Sequence, residues 1–351
     1  MVISHEFYMD RAIQLANHGD NRTKTNPKVG AVIVHEGRII GEGWHSEFGQ
    51  AHAEINAIRS VQKANKKLLP ESTIYVTLEP CSFFGKSPSC ALRIVKEDFK
   101  KIVVGAIDPN PKVSGGGCKI LRDAGLEVVI GIRKNQCEQL LLPFTIQQEK
   151  SRPFIHLKWA QSYDGYLSIK GKQTPISHPY LKFVTHRIRG ESQGILVGTE
   201  TLLIDNPGLD NRYGIGDSPV KIILDRKGRI PIKNWAFLLS RGPTLGLGPV
   251  DHPLKPYFDK FLEVDSEISI TDVLKLVYKE GIGTLMVEGG AHLLKSFIKQ
   301  DLWDRATVIK SPRSLNEGVK APHLNGHLLN KTSVIDHDVY EIAPKSLEPI
   351  Y

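Results

Sequence analysis

Apolar residues recur with a helical period at the start of the chain, where Phe7, Ala12, Ile13, Leu15 and Ala16 predict a helix over residues 6–17. The pattern then changes. The unbroken apolar run Ala31-Val32-Ile33-Val34 predicts a buried strand, His35-Glu36-Gly37-Arg38 a hairpin turn, and residues 39–44 the returning partner. Helical spacing resumes over residues 51–60 through Ala53 and Ala57, with His52 and Glu54 on the first turn, and residues 73–78 read as a strand. A helix is expected to open at Cys90, a strand at residues 101–105, a short helix after Gly115-Gly116-Gly117, and a last strand at residues 126–130. Such alternation indicates an α/β layered domain.

Residues 140–152 change character. Pro143, the polar run Gln147-Gln148-Glu149-Lys150 and Pro153 form or flank a connection, which divides the chain into residues 1–147 and 148–351. Beyond it come a strand over residues 154–159, a turn at residues 161–165, a helix over residues 180–189 and a buried strand over residues 194–198. Further strands are expected at residues 220–225, 284–287 and 306–309, the last in an otherwise loop-rich tail. The strand before Glu288 runs into Gly289-Gly290, a turn opening a helix whose amides can approach a phosphate. A Gly-Gly turn alone is more often only a turn. Neither a G-x-G-x-x-G nor a Walker loop stands where a nucleotide fold would need it, so an ordinary Rossmann domain is disfavoured.

The first third carries the clearest chemistry. His52-Ala53-Glu54 is followed by Glu79-Pro80-Cys81 and then Cys90. One imidazole and two thiolates can hold zinc tetrahedrally with a water in the fourth position, and a carboxylate two residues after the histidine can move that water's protons. Zinc-dependent base deaminases share the H-x-E element followed by P-C-x-x-C, in which the glutamate is the acid/base and not a ligand. Here the loop between the cysteines is longer than two residues. A position at a helix N-terminus would also lower the Cys90 thiol pKa. A histidine or cysteine taken singly is more often a packed core residue, and a purely structural zinc would close all four positions. The combination of strand, Glu-Pro-Cys, loop, Cys and helix favours a hydrolytic centre. His45, just before the His52 segment, is a candidate substrate contact.

Length and charge set the outer bounds. A chain of 351 residues suits two domains. Its four cysteines, Cys81, Cys90, Cys118 and Cys137, fit metal binding better than a disulfide set in a chain of this size. The amino terminus lacks a charged region followed by an apolar run, and no apolar stretch approaches a membrane span, so a cytoplasmic enzyme is expected. The formal net charge of +8 favours small phosphorylated substrates over nucleic acid, because no long basic tract with interleaved aromatics is present.

Several motifs together resemble one family. Asn26-Pro27-x-Val29-Gly30, His52-Ala53-Glu54, the run from Val76 through Glu79-Pro80-Cys81-Ser82, Gly85-Lys86, Cys90 and Asp108-Pro109-Asn110-Pro111 are similar to the bifunctional riboflavin-biosynthesis deaminase/reductases. Leu157-Lys158, Ser162-x-Asp164-Gly165, residues 195–198, Asp205-Asn206-Pro207, Arg212 and Glu288-Gly289-Gly290 continue the likeness in the same order to about residue 325. The resemblance implies a cytidine-deaminase-like three-layer domain followed by a dihydrofolate-reductase-like domain. It implies hydrolytic deamination of 2,5-diamino-6-(5-phosphoribosylamino)pyrimidin-4(3H)-one, then reduction of the ribosyl group to ribityl with NADPH. It also implies a homo-oligomer built through the reductase domain.

Carried over by position, the resemblance assigns zinc to His52, Cys81 and Cys90, proton transfer to Glu54, and deaminase substrate contacts to Asn26, His45, Lys86 and Asn110. NADPH would meet Gln161, Pro175, Thr201, Asp205 and Gly290. The ribosyl substrate would meet Lys158, Gln173, Arg189, Leu209, Arg212 and Glu288. The sequence departs from the family at Phe83, usually His, at Pro175, usually Trp, and at Ser89, commonly Pro. Those departures keep a deaminase with a silent second domain as an alternative. A nucleic-acid editing deaminase would share the zinc motif, but the long Cys81 to Cys90 loop and the turns of the second half argue against it.

Overall fold

The computed structural model describes residues 4–82, 89–110 and 114–347. The chain divides between Ser151 and Arg152 into two compact units. In the first, the elements are α1 (His5–Ala16), β1 (Gly30–His35), β2 (Arg38–Trp44), α2 (Ala53–Ser60), β3 (Thr73–Leu78), α3 (Cys90–Lys96), β4 (Lys101–Ala106), α4 (Gly116–Asp123), β5 (Glu127–Ile130) and α5 (Lys134–Lys150). The sheet order is β2-β1-β3-β4-β5, antiparallel at β1 and parallel from β3 onward. Helices α1 and α5 pack on one face, and α2, α3 and α4 on the other. Strands buried on both faces explain the continuous apolar runs: Ala31, Val32, Ile33, Ile102, Val103 and Val104 are all fully buried.

Close approach of α2 to the sheet depends on Gly43. A Cβ there would lie 2.3 Å from the Ala57 nitrogen and 2.6 Å from the Ala53 carbonyl oxygen. With no side chain at that point, α2 lies directly on β2, and its first turn is held at one end of the sheet. His52 is the N-cap of α2 and not a residue of its first turn, with extended backbone (φ −70°, ψ 165°).

The connection expected over residues 140–152 is instead the second half of α5, which runs unbroken through Pro143 to Lys150. Cys137, Leu141 and Ile146 are buried along it. Their burial against the sheet offsets the ~3 kcal/mol that an interior proline costs a helix. The Thr145 hydroxyl and the Gln147 amide also donate back to the carbonyls of Leu141 and Pro143, at 3.3 and 3.0 Å.

The second unit holds β6 (Phe154–Gln161), β7 (Tyr166–Ser168), α6 (Lys182–Glu191), β8 (Gly194–Gly198), α7 (Thr199–Asp205), β9 (Val220–Leu224), α8 (Ala236–Leu239), β10 (Thr244–Gly248), β11 (Lys260–Glu263), α9 (Ile270–Lys279), β12 (Thr284–Glu288), α10 (Ala291–Lys299), β13 (Arg305–Lys310), β14 (Val319–Lys320), β15 (Gly326–Val334) and β16 (His337–Pro344). Its large sheet has the order β11-β10-β9-β8-β12-β6-β13-β16-β15. Strands β11 through β13 in that order are parallel, and β16 and β15 are antiparallel.

The tail is therefore not loop-rich. Its hairpin escapes the sequence because β15 is an edge strand, largely exposed and without apolar alternation. Its turn also contains no glycine and uses Ile335 in the left-handed region (φ 60°). Helices α7 and α9 and strands β10 and β11 likewise lie in stretches that the hydrophobic pattern left unassigned. Among the described residues no helix is long and apolar enough to cross a membrane.

Candidate active sites

The three zinc-ligand candidates come from three separate elements. His52 caps α2, Cys81 follows β3, and Cys90 opens α3. The His52 Nδ1 atom lies 3.3 Å from Cys90 Sγ and 3.8 Å from Cys81 Sγ, and the three donor atoms all fall within 4.8 Å of one another. Tetrahedral ligands roughly 2.1–2.3 Å from a common ion are about 3.5–3.8 Å apart, so the donor set fits zinc in both chemistry and spacing. The Cys90 N–H donates to Cys81 Sγ at 3.2 Å, which supports a thiolate there. Ser89 accepts the Leu92 N–H at 3.3 Å and so caps α3.

Cys81 is the lowered thiol, held at about 4 by its hydrogen bond with Cys90, while the same pairing and burial push Cys90 up. Two sulfurs this close do not both ionise unless a cation offsets the second charge. A divalent ion supplies that charge.

Glu54 is buried, with 3% of its surface exposed. Burial pushes its carboxyl above the ordinary range, against the pull of His52. A carboxyl poised in this way can both take and give a proton. His45 is also buried, and burial lowers its imidazole pKa. Its Nδ1 lies 3.2 Å from the Ala51 carbonyl oxygen and its Nε2 3.1 Å from the Asn26 amide nitrogen. Nδ1 therefore carries the proton and Nε2 accepts, which joins two expected substrate contacts directly. Asn110 lies in the segment after β4, its N–H bonded to Asp108 Oδ1 at 2.8 Å. Lys86 and Phe83 lie outside the described residues.

Asn56 has no role in the motif reading. Its amide donates to the carbonyls of Trp44 and Ala51, at 2.8 and 3.2 Å, and so ties down the segment that carries His45 and His52. The available signal was a polar residue one helical turn after His52.

In the second unit the expected residues gather at the carboxyl ends of neighbouring parallel strands, where open α/β sheets place ligands. Lys158 on β6 stands in register with Glu288 on β12. Lys158 Nζ donates to Glu288 Oε1 at 2.9 Å, and Arg189 from α6 donates to Oε2 at 2.8 Å. Burial opposes ionisation of Glu288, yet Arg189 and Lys158 hold it far below the usual carboxylate range. Arg189 also donates to the Asp210 carbonyl oxygen at 2.8 Å, and Arg212 pairs with the Asp210 carboxylate at 3.2 Å.

Thr201 on α7 accepts the Gly290 N–H at 2.8 Å, and the Asp205 carbonyl accepts from Gln173 at 3.4 Å. Gln161 accepts from the Trp159 indole at 2.8 Å. Burial, followed by the charge of Glu288, raises the Asp205 pKa. Leu209 is buried in the hydrophobic core, with its backbone in the left-handed region (φ 60°). Pro175 is exposed between β7 and α6. His186 was missed. It accepts the Arg212 N–H at 3.2 Å, and burial together with Arg189 lowers its pKa to about 4, so it stays neutral. Its place three residues before Arg189 on α6 was the sequence signal.

The pattern described as RibD C-terminal domain matches residues 153–343. The chain belongs to the RibD family. The cytidine and deoxycytidylate deaminase zinc-binding region matches residues 2–106 of this RibD chain. The riboflavin biosynthesis protein RibD of Aquifex aeolicus is 35% identical over 89% of this chain and 88% of that protein. The RibD of Bacillus amyloliquefaciens is 35% identical over 91% and 87%.

A solved diaminohydroxyphosphoribosylaminopyrimidine deaminase/5-amino-6-(5-phosphoribosylamino)uracil reductase from Thermotoga maritima superimposes with a TM-score of 0.89 at 33% identity, covering 97% of this chain and 98% of that one. Acinetobacter baumannii RibD gives 0.87 at 31% identity, with the same coverage. As a RibD chain, the protein is a zinc-dependent deaminase joined to an NADPH-dependent reductase.

Proposed function

We propose that the first unit hydrolytically deaminates 2,5-diamino-6-(5-phosphoribosylamino)pyrimidin-4(3H)-one and the second reduces the ribosyl side chain of the product to ribityl. The observation that carries the deaminase reading is the His52, Cys81 and Cys90 donor set beside buried Glu54. Zinc held there supplies a water that ionises near neutral pH. Glu54 takes the proton that water releases and delivers protons to the ring nitrogen and the departing amine. Water replaces the amino group by an oxo group, and ammonia leaves. Asn26, fixed by His45, orients the pyrimidine together with Asn110, and Lys86 meets the phosphate.

NADPH supplies the hydride for the second reaction, and Thr201, Gly290, Gln161 and Asp205 hold it. Lys158, held by Glu288, donates to the sugar oxygen, while Arg189 and Arg212 bring positive charge to the substrate. Glu288 orients both Lys158 and Arg189. The +8 net charge supports attraction of phosphorylated substrates. The four free cysteines support a reducing compartment, the cytoplasm. The exposed aromatic cluster of Tyr180, Phe183 and Tyr213 supports self-association through the second unit, which light scattering of the purified protein tests.

Mass spectrometry of products from the diaminopyrimidine phosphate, with and without NADPH, tests both reactions. The deaminated ribosyl compound is expected without NADPH and the ribityl compound with it. Accumulation of the ribosyl compound despite NADPH would remove the reductase assignment, and no turnover in zinc-loaded protein would remove the deaminase assignment.

A further inference from the structure

Glu79 lies between β3 and the ligand Cys81, and 2% of its surface is exposed. Its Oε2 atom accepts the N–H groups of Asp108 at 3.2 Å and Gly115 at 2.9 Å, and Oε1 accepts the N–H of Cys118 at 3.0 Å. Its own N–H continues the β3–β4 ladder to the Ala106 carbonyl at 2.9 Å. Helix α4 has glycine at its N-cap, Gly115, with no side chain to accept from the first turn. Glu79 supplies that acceptor from another element and places its negative charge where the helix favours one.

The contact is close enough to exclude a side chain. A Cβ at Gly117 would lie 1.9 Å from the Pro80 carbonyl oxygen, so α4 rests directly on the segment that delivers Cys81. Gly115 lies in the left-handed region (φ 78°) and not in the extended backbone of a side-chain N-cap, so the acceptor for α4 comes from the end of β3. The carboxylate holds Asp108, two residues before Asn110, as well as Gly115 at the start of α4.

We propose that Glu79 is a positioning residue of the deaminase, holding Asp108, whose carboxylate accepts the Asn110 N–H, so that Asn110 meets the pyrimidine substrate. The proposal rests on the reading of Asn110 as a substrate contact. Glu79→Gln keeps the volume but turns one acceptor into a donor facing backbone N–H groups.

The test is a double-mutant cycle in the full-length protein with Glu79→Gln, Asn110→Ala and both together. Deaminase kcat and KM, zinc content by plasma mass spectrometry, and the reductase rate on deaminated substrate are measured for each. Glu79→Gln is expected to retain zinc and the reductase rate and to raise the deaminase KM about tenfold, the scale of one hydrogen bond to a charged group. The double variant is expected to have a KM no higher than that of Asn110→Ala. Effects that multiply, or an unchanged KM in Glu79→Gln, would overturn the positioning role while leaving the substrate reading intact. An unchanged KM in Asn110→Ala would remove the substrate reading and the proposal with it. If Glu79→Gln loses zinc, Glu79→Asp, which keeps the charge but is one methylene shorter, takes its place in the cycle under the same criteria.

Discussion

Lys158 Nζ donates to Glu288 Oε1 at 2.9 Å across two adjacent parallel strands, and Arg189 holds the other carboxylate oxygen at 2.8 Å. One anion thus pairs with two cations near the carboxyl end of the large sheet, which leaves the trio with a net positive charge. Glu288→Gln leaves both cations short of a counter-charge, so reductase turnover should fall by about 10- to 100-fold, and the second unit should lose ~2–3 kcal/mol of stability. Steady-state reduction of the deaminated substrate and urea unfolding check the two effects. Deaminase turnover should be unchanged.

The same carboxylate gives a pH signature. Its native pKa is depressed, so its contribution to stability is complete above the unfolded value near about 4.3 and is lost as pH falls toward the native one. Wild type should exceed Glu288→Gln by a constant margin from neutral pH down to about 5, and the margin should narrow below about 4. Urea midpoints for both proteins across that range measure it.

The proposed role of Glu54 is proton transfer and not metal ligation, since the donor cluster is His52, Cys81 and Cys90. Glu54→Gln should therefore retain bound zinc while deamination falls by about 10²- to 10⁴-fold, the usual share of general acid/base catalysis. Loss of zinc in that variant would contradict the assigned role.

Removing the metal should separate the two activities. Dialysis against a zinc chelator is expected to abolish deamination and to leave reduction of the already deaminated substrate at its starting rate. Added zinc should restore the first activity. A matched fall in both rates would tie the metal to the whole chain and not to the first unit.

Gly43→Ala tests how α2 is seated. The added Cβ would lie 2.3 Å from the Ala57 nitrogen, inside backbone that cannot swing aside. A loss of ~2 kcal/mol or more is expected, as for other overpacked positions, with weakened zinc binding because His52 caps the displaced helix. Thermal unfolding and zinc titration measure the two effects.

Sequence by itself determined the elements whose burial leaves a periodic trace. Strands β1, β3 and β4 and the strand before Glu288-Gly289-Gly290 bury continuous apolar runs, the helix carrying Glu54 buries apolar residues at helical spacing, and the metal ligands are legible because few residue types can hold zinc. Tertiary structure alone decided the rest. Burial of Cys137, Leu141 and Ile146 carries α5 through Pro143, and pairing to β16 makes a strand of residues 326–334 that carry no alternation. Glu79 reads as a motif residue until the fold brings Gly115 and Cys118 to its carboxylate. Hydrogen bonds and charges between residues far apart in the chain have no period to read, so only the folded arrangement reveals them.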